Sequence, residues 1–291
     1  MKKGIHQSHF PFFLGAPALV WQVLFFYLPL AILVLSSFFD FSASSWTDTL
    51  TLKKVLTFLN PIYVRVIFSS LGLAISNTLL CFCIAYPLAY FMAFTWKKRK
   101  NLLLFLLIIP FWTNFLLHVY AWFFVLERDG FVNHLLQSLG ILSQPVIFLN
   151  SLLATLLMMV YYYLPFMVIP IYSSLEKFDY KLIEASLDLG ASWLQTFRRI
   201  MLPLSLKGIK AGFFIVYIPS FGEFAIPELM GGDKQMFVGN VVAQYILGDE
   251  TGSLGAAFTM LSCLVLLLSI IPLYLLINKL LTPKASHGFT K

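Results

Sequence analysis

Charged residues are scarce in this chain of 291 residues. Asp, Glu, Lys and Arg make up 11% of it, against about 25% in an average soluble domain. Hydrophobic residues make up 59%, and the mean hydropathy is +0.85. No soluble core could enclose this much apolar surface, so the composition excludes a water-soluble globular protein.

Motifs that bind nucleotides or catalyse hydrolysis are also absent. There is no G-x-x-x-x-G-K-[ST] phosphate loop, because the run Gly231-Gly232-Asp233-Lys234 has a different spacing. There is no HExxH, no G-x-S-x-G and no group of nucleophile, base and orienting residue. We therefore expect that the chain is no enzyme and itself binds no ATP, metal or other cofactor.

Cysteine is rare, and histidine is scattered. Cys81, Cys83 and Cys263 all lie in apolar runs, where small buried hydrophobic side chains are expected rather than a disulfide or a metal site. His118 lies inside the third run and is expected to hydrogen-bond to a neighbouring helix. No internal repeat is evident, so nothing favours a secondary transporter built from inverted repeats.

Six apolar runs are long enough to cross a bilayer, which takes about 20 mostly apolar residues. They predict an all-α polytopic membrane protein with six transmembrane helices. Their approximate limits are 14–38, 66–95, 102–126, 150–175, 207–227 and 256–281. The first run follows Lys2 and Lys3, but it exceeds the roughly 7–15 apolar residues of a signal peptide and is expected to remain a span.

Basic residues fall unequally on the two sides that six spans define. Fifteen of the twenty Lys and Arg lie on the side of the termini, and such an excess marks the cytoplasm. This distribution predicts cytoplasmic tails at 1–13 and 282–291, a six-span domain at 14–281 and a cytoplasmic loop at 176–206. Nine of the thirteen acids lie on the outer side, which favours a cationic ligand. The scattered positive charge does not indicate nucleic-acid binding.

The 176–206 loop contains the sequence EASLDLGASWLQTFRRIMLP. A short amphipathic helix is predicted from Lys181 to Leu189, followed by Gly190 in a positive-φ position and Ser192 as the N-cap of a second helix. The expected shared face of the first helix is Leu182, Ala185, Ser186 and Leu189. The second helix places Trp193, Leu194, Phe197 and Ile200 at helical spacing. Such short helices need a partner, which is either the lipid surface or a groove in another protein.

The spacing of residues in this loop resembles the EAA loop of ABC-importer permeases. That motif reads EAA, three residues, Gly, nine residues and Ile-x-Leu-Pro, and it corresponds to Glu184-Ala185, Gly190 and Ile200-x-Leu202-Pro203. Ser186 replaces the second Ala. The resemblance implies a type I importer permease fold in the plasma (inner) membrane. The loop would dock in a cleft of a separate ATPase dimer, which carries ATP and Mg²⁺. A second permease subunit and an extracytoplasmic substrate-binding protein are the other implied partners.

Further motifs are similar to those of spermidine/putrescine permeases. They are Tyr86-Pro87-Leu88-Ala89-Tyr90, Ile109-Pro110-Phe111-Trp112-Thr113, Tyr120-Ala121-Trp122, Phe221-Gly222-Glu223-Phe224, Ile226-Pro227-Glu228-Leu229, Gly231-Gly232 and Asn240. The resemblance implies a polyamine as the substrate. Permeases for iron, sulfate, molybdate and thiamine share looser forms of these motifs and remain alternatives.

The candidate residues of the substrate pathway are Glu223, Trp112, Tyr120, Trp122 and Phe221. A carboxylate in an apolar stretch should face a cavity or the bundle interior, and aromatic faces attract ammonium groups. Trp and Tyr near span ends also serve as interfacial belt residues, and Glu223 could be solvated if its span ends at Ser220. A self-contained channel or ion-coupled transporter is the rival function, although it does not explain the EAA-type loop.

Overall fold

The computed structural model describes residues 10–39, 52–232, 235–248 and 252–281, and these are predominantly helical. The chain divides into two compact units, one of residues 1–64 and 242–263 and the other of residues 65–241 and 264–291. The prediction of an all-α polytopic protein is confirmed. The predicted C-terminal tail and residues 1–9 of the predicted N-terminal tail lie outside the described residues, whereas residues 10–13 already belong to a helix.

Four described helices are long and apolar enough to cross a membrane, or six spans if each of two bent helix pairs crosses once. The unbroken spans are span 1 at Gly15–Phe38, span 2 at Pro61–Thr95, span 4 at Leu152–Glu176 and span 6 at Ser253–Leu281. The bent pairs are span 3, Lys100–Trp112 with Phe115–Ser138, and span 5, Trp193–Leu204 with Leu206–Phe221. The limits agree with the predicted runs to within a few residues at most ends.

Span 2 begins earlier than the predicted residue 66. Pro61 occupies its first turn, where a missing N–H has no cost. The Asn60 side chain accepts a hydrogen bond from the Ile62 N–H at 3.1 Å, and this cap fixes the start. Hydropathy alone placed the start later because Tyr63 and Arg65 lower the apolar average.

Span 3 is broken, contrary to the single helix predicted at 102–126. Its two parts meet at 97°, because a tight turn at Ile109–Trp112 ends the first and the Asn114 side chain caps the second. The His118 ring lies against the break, with Nε2 2.8 Å from the Pro110 carbonyl oxygen. Its Nδ1 lies 2.9 Å from the Tyr161 hydroxyl on span 4, so the expected bond to a neighbouring helix is confirmed.

Span 5 ends at Phe221 rather than at 227, and Gly222 follows it as the C-cap residue. A separate turn at Pro227–Gly231 succeeds it. Three short helices lie outside the predicted apolar runs and were not expected from the sequence. They are Lys53–Thr57, Phe131–Ser138, which forms the end of the second part of span 3, and Val238–Leu247.

The core of the second unit forms where span 4 meets the second part of span 5. Gly208 and Gly212 allow this approach, because a Cβ on Gly208 would lie 2.4 Å from the Pro170 carbonyl oxygen and one on Gly212 2.9 Å from the Met167 Sδ. Fully buried apolar side chains of span 4 fill the contact, among them Met158, Met159, Met167 and Ile171. Dense packing of this kind gives the unit a rigid centre.

The first unit has an aromatic centre of its own. The buried Phe58 ring packs against Tyr63, Tyr245 and Phe258 at centroid distances of 4.8, 5.7 and 5.0 Å. The hydroxyls of Tyr63 and Tyr245 lie 2.6 Å apart.

Candidate functional site

The first helix of the 176–206 loop runs from Lys181 to Asp188 and ends as predicted. Gly190 has φ +81°, the conformation that a helix C′ residue adopts. The Gly190 N–H donates to the Leu187 carbonyl at 2.9 Å, and the Ala191 N–H donates to the Ser186 carbonyl at 3.1 Å. These two bonds form a Schellman motif, so the chain reverses direction without unpaired backbone groups.

The second loop helix begins at Trp193, after Ser192. The Ser192 hydroxyl accepts the Gln195 N–H at 3.3 Å, and the Gln195 side chain accepts the Ser192 N–H at 2.9 Å. This capping box confirms Ser192 as the N-cap. The helical segment continues to Leu204 and bends by 69° into the second part of span 5.

Apolar side chains of the loop project from its surface. Leu189, at the turn, is 88% exposed. Leu182 and Leu194 are exposed on the two helices, as are Glu184 and Ala185. Burying a leucine contributes roughly 1.5–3 kcal/mol, so this tip is suited to enter an apolar groove of another molecule.

The opposite side of the loop packs inward. Ile183 and Thr196 are buried, and the Ser186 hydroxyl lies 2.9 Å from the Thr196 hydroxyl. Ser186 is thus the residue of its motif that joins the two loop helices.

The C-terminal part of the motif lies in the first part of span 5, which is also the second helical segment of the loop, just before the bend. Ile200, Leu202 and Pro203 are each half-buried, beside the fully buried Met201. Pro203 stands in the short helical turn Leu202–Leu204, which ends at Ser205. A proline removes one backbone donor and restricts the chain, and here it precedes the bend between the two parts of span 5.

Glu223 is half-buried directly after the end of span 5. The Tyr163 hydroxyl of span 4 donates to its Oε2 at 2.7 Å. Its Oε1 accepts the backbone N–H groups of Ala225 and Ile226 at 3.1 and 3.4 Å. These three donors hold the carboxylate in one orientation.

The backbone around Glu223 is enclosed tightly. A Cβ on Gly239 would lie 2.6 Å from the Gly222 carbonyl oxygen and 2.7 Å from that of Glu223, so only glycine fits there. The Asn240 side chain donates to the Phe224 carbonyl at 3.4 Å and to Glu228 at 2.5 Å. Glu223 therefore lies in a fixed segment rather than in a loose chain end.

The five candidate pathway residues do not form one cluster. Phe221 is buried in the unit, while Trp112 and Tyr120 on span 3 are 76% and 59% exposed. Trp122 packs edge-on against Tyr161 at 5.6 Å, and Glu223 contacts Tyr163. Tyr161 and Tyr163 are two residues apart on one helix and point to different faces.

Sequence reasoning missed Tyr163 and the buried pair of Asn77 and Ser220. The Asn77 Nδ2 donates to the Ser220 Oγ at 2.8 Å, between span 2 and span 5. An amide in an apolar span is a signal, because it needs a partner inside the membrane. Tyr163 had no such signal, since two further tyrosines precede it.

Among the residues that the structure describes, no three His, Cys, Asp or Glu side chains come together as a candidate metal-ligand set.

Known proteins resemble this chain over most of its length. The spermidine/putrescine transport system permease protein PotB of Salmonella typhimurium (strain SL1344) is 39% identical over 267 residues, covering 91% of this chain and 93% of that protein. PotB of Escherichia coli (strain K12) is 42% identical over 238 residues, covering 81% of this chain and 86% of that protein.

A solved structure shares the fold at low sequence identity. It is a bacterial alginate ABC transporter in complex with an alginate pentasaccharide-bound periplasmic protein. The TM-score is 0.70 at 16% identity, with 90% of this chain and 91% of that chain covered. This likeness confirms the type I importer permease fold.

The family assignment rests on a long match that includes the whole loop. Residues 85–287 match the family described as the binding-protein-dependent transport system inner membrane component. The chain therefore belongs to this family of multi-pass inner membrane permeases.

Proposed function

We propose that this chain forms half of the transmembrane pathway of an ATP-driven polyamine importer. One observation carries the proposal, in a chain of this family. The 176–206 loop presents an exposed apolar tip around Leu189, and its two helices are joined by the hydrogen bond between Ser186 and Thr196. Such a tip needs a protein groove, and the sequence contains no phosphate loop of its own. A separate ATPase dimer is then the partner that binds ATP and Mg²⁺.

The loop residues have distinct roles in this proposal. Glu184, Ala185 and Leu189 contact the ATPase, while Gly190 provides the reversal that presents them. Ser186 joins the two helices. We call residues 176–206 the coupling loop. Its remaining motif residues, just before the bend in span 5, are Ile200, Leu202 and Pro203.

The remaining partners follow from the importer architecture. The alginate transporter was crystallised with a periplasmic protein, which supports an extracytoplasmic binding protein as the source of substrate here. A second permease subunit supplies the other half of the pathway.

Polyamines are the substrate that we propose, with spermidine and putrescine as the candidates. The two PotB relatives carry these substrates in their names. Glu223 provides chemical support, because a carboxylate oriented by Tyr163 can pair with an ammonium group. Trp112, Tyr120 and Trp122 are the aromatic candidates along the route, where cation–π contacts contribute about 0.5–2 kcal/mol each.

Orientation completes the proposal, with both termini and the 176–206 loop in the cytoplasm. The excess of Lys and Arg on that side supports it. The loop then meets an ATPase where ATP is available, and Glu223 lies towards the outer side.

The test combines purification with uptake. The tagged chain is expressed with its natural partners in cells that lack other polyamine uptake, and labelled spermidine and putrescine are supplied. We expect an ATPase to copurify and uptake to require ATP. Uptake competed by sulfate, molybdate, ferric iron or thiamine, but not by polyamines, would reassign the substrate. Transport by the chain alone would favour an ion-coupled transporter or channel.

A further inference from the structure

An aromatic stripe lies along one side of span 2. Phe82, Tyr86, Tyr90 and Phe94 recur at intervals of four residues, so they lie above one another on the helix. The rings of Phe82 and Tyr86 are in contact, with centroids 5.8 Å apart, and so are those of Tyr90 and Phe94, with centroids 5.0 Å apart.

This aromatic stripe packs on the second helix of the coupling loop. Tyr86 meets Phe197 edge-on at 5.3 Å, and Tyr90 meets Trp193 edge-on at 6.4 Å. Trp193 and Phe197 are stacked on each other at 5.4 Å, with 8° between their planes. The loop helix therefore holds span 2 through two adjoining ring contacts.

The stripe also reaches the residues that precede the first loop helix. Phe94 contacts Tyr180 at 5.4 Å and Phe178 at 6.2 Å. Span 2 thus touches the loop before its first helix and within its second, and the exposed tip at Leu189 lies in the chain between these contacts.

One polar contact joins the stripe to the bend in span 5. The Tyr86 hydroxyl lies 3.2 Å from the Ser205 Oγ. Ser205 separates the segment Trp193–Leu204 from the helix Leu206–Phe221, which meet at 69°. Both Tyr86 and Ser205 are buried, so this hydrogen bond is protected from water.

Span 2 also contacts span 5 near the C-terminal end of the helix Leu206–Phe221. The fully buried Asn77 side chain donates to the Ser220 hydroxyl at 2.8 Å. Ser220 stands three residues before Glu223. Asn77 and Tyr90 belong to one helix, Pro61–Tyr90, which includes Pro87, and are about 20 Å apart at 1.5 Å per residue.

We propose that span 2 carries movement of the coupling loop to the break beside Glu223, with Tyr90 and Asn77 as the positioning residues at its two ends. Packed rings have few intermediate arrangements and shift as a unit. A displacement of Trp193 is therefore passed to Tyr90, along the helix to Asn77, and then to Ser220. The inference rests on the proposed contact between the loop and an ATPase.

The test measures substrate transported per ATP hydrolysed by the complete reconstituted importer. Tyr90→Leu keeps an apolar side chain but removes the ring that meets Trp193. Its transport per ATP should fall by roughly fivefold or more, as expected for loss of a coupling free energy of ordinary size. Tyr90→Phe keeps the ring and should restore the wild-type ratio. Ile84→Ala, on the exposed side of the same helix, is the matched control and should leave the ratio unchanged.

Two outcomes separate this inference from the proposed function. If the wild-type chain binds no ATPase, the proposed function fails. If the wild type couples normally and Tyr90→Leu keeps the wild-type ratio, only the role of span 2 is overturned. Phe94→Leu is the second variant, with the same expected fall, in case Tyr90→Leu does not assemble.

The contact at Asn77 is tested by a double-mutant cycle. Asn77→Ala and Ser220→Ala should each lower transport per ATP while ATPase binding persists. The double variant should be no worse than the more severe single variant, because all three break the same contact. Fully additive losses would show that the two residues act separately and would overturn this step.

Discussion

Ser186 and Thr196 join the two helices of the coupling loop through hydroxyl groups 2.9 Å apart. The family motif has Ala at the position of Ser186, so the loop can form without this bond. We expect Ser186→Ala to lower the stability of the loop by about 0.5–1.5 kcal/mol, the usual net contribution of one hydrogen bond. Transport should stay near the wild-type level.

A thermal denaturation series on the purified complex checks the Ser186 prediction. Thr196→Val should have an effect of similar size, and the double variant should show less than the sum of the two. Abolished transport in Ser186→Ala would mean that the hydroxyl contacts the ATPase instead.

The effect of a substitution at Gly190 should depend on whether the new residue can adopt a positive φ, and not on the space available for its side chain. Its φ is +81°, and a Cβ there would meet nothing within 4 Å. Gly190→Val should therefore cost about 1–3 kcal/mol from backbone strain alone and weaken ATPase binding. Gly190→Asn should be milder, because Asn enters the left-handed region more readily.

The matched control for Gly190 is Gly72, which also has open space around its Cβ position but no positive φ. Gly72→Val introduces the same side chain into a helix without the left-handed penalty. Copurified ATPase and the midpoint of thermal denaturation are the two readouts. Equal losses for Val at both positions would contradict the backbone explanation.

Leu189 is expected to be the strongest apolar anchor for the ATPase. At 88% exposure it stabilises little within this chain, and insertion into a groove would gain roughly 1.5–3 kcal/mol. Leu189→Asp should thus reduce ATPase binding by at least tenfold, since 1.4 kcal/mol corresponds to about that factor. Binding is measured by titrating the purified ATPase against the permease in detergent.

Leu139 offers the comparison for this substitution. It is another exposed leucine in a connecting segment, after the helix Phe131–Ser138, and lies on the side that we propose to be outside. Leu139→Asp should leave ATPase binding intact. Loss of binding in both variants would indicate a general defect in assembly and not a contact at Leu189.

The local features of the loop were predictable because they depend on neighbouring residues. Gly190 and Ser192 follow rules for helix ends that operate within four residues, and both were found as expected. The break in span 3 was not predicted. Thr113 and Asn114 are only two polar residues, and the segments before and after them are equally apolar, so the whole run was taken as one helix. Hydropathy measures length and composition and does not report a bend of 97°.

The surroundings of Glu223 depended on contacts between distant parts of the chain. Tyr163 is 60 residues away in sequence, and no local pattern selects it over Tyr161 or Tyr162. The sequence could identify Glu223 as an unusual carboxylate, because charge in an apolar run is costly. Its orienting partner became evident only from the packing of span 4 on span 5.

Membrane orientation can be tested with single cysteines in a background where Cys81, Cys83 and Cys263 are replaced. Ser192→Cys in the coupling loop should resist a membrane-impermeant thiol reagent applied to intact cells. Ser143→Cys, in the exposed segment between spans 3 and 4, should react. Permeabilised cells provide the control in which both positions label. Labelling of Ser192→Cys from outside would reverse the topology and remove the basis for ATPase coupling.

Glu223 should determine the charge of the transported substrate. Glu223→Gln keeps the size of the side chain, and its one oxygen can still accept from the Ala225 and Ile226 N–H groups, while its NH2 group replaces Oε2 and can donate to the Tyr163 hydroxyl. It removes the charge that would pair with an ammonium group. We expect uptake of spermidine and putrescine to fall by about tenfold or more, the effect of losing one charge-assisted bond of 1.5–3 kcal/mol.

Tyr163→Phe distinguishes binding by Glu223 from orientation of Glu223. It leaves the carboxylate charged but releases one of its oxygens, so uptake should fall less than in Glu223→Gln. The assembled complex and its basal ATP hydrolysis should be unchanged in both variants, whereas stimulation of hydrolysis by the loaded binding protein should decrease in parallel with uptake. Wild-type uptake in Glu223→Gln, inhibited by sulfate or molybdate but not by spermidine, would assign the substrate to the anions. In that case Glu223 would serve only to hold the segment after span 5 through its backbone contacts, and the coupling loop would remain the functional site supported by the structure.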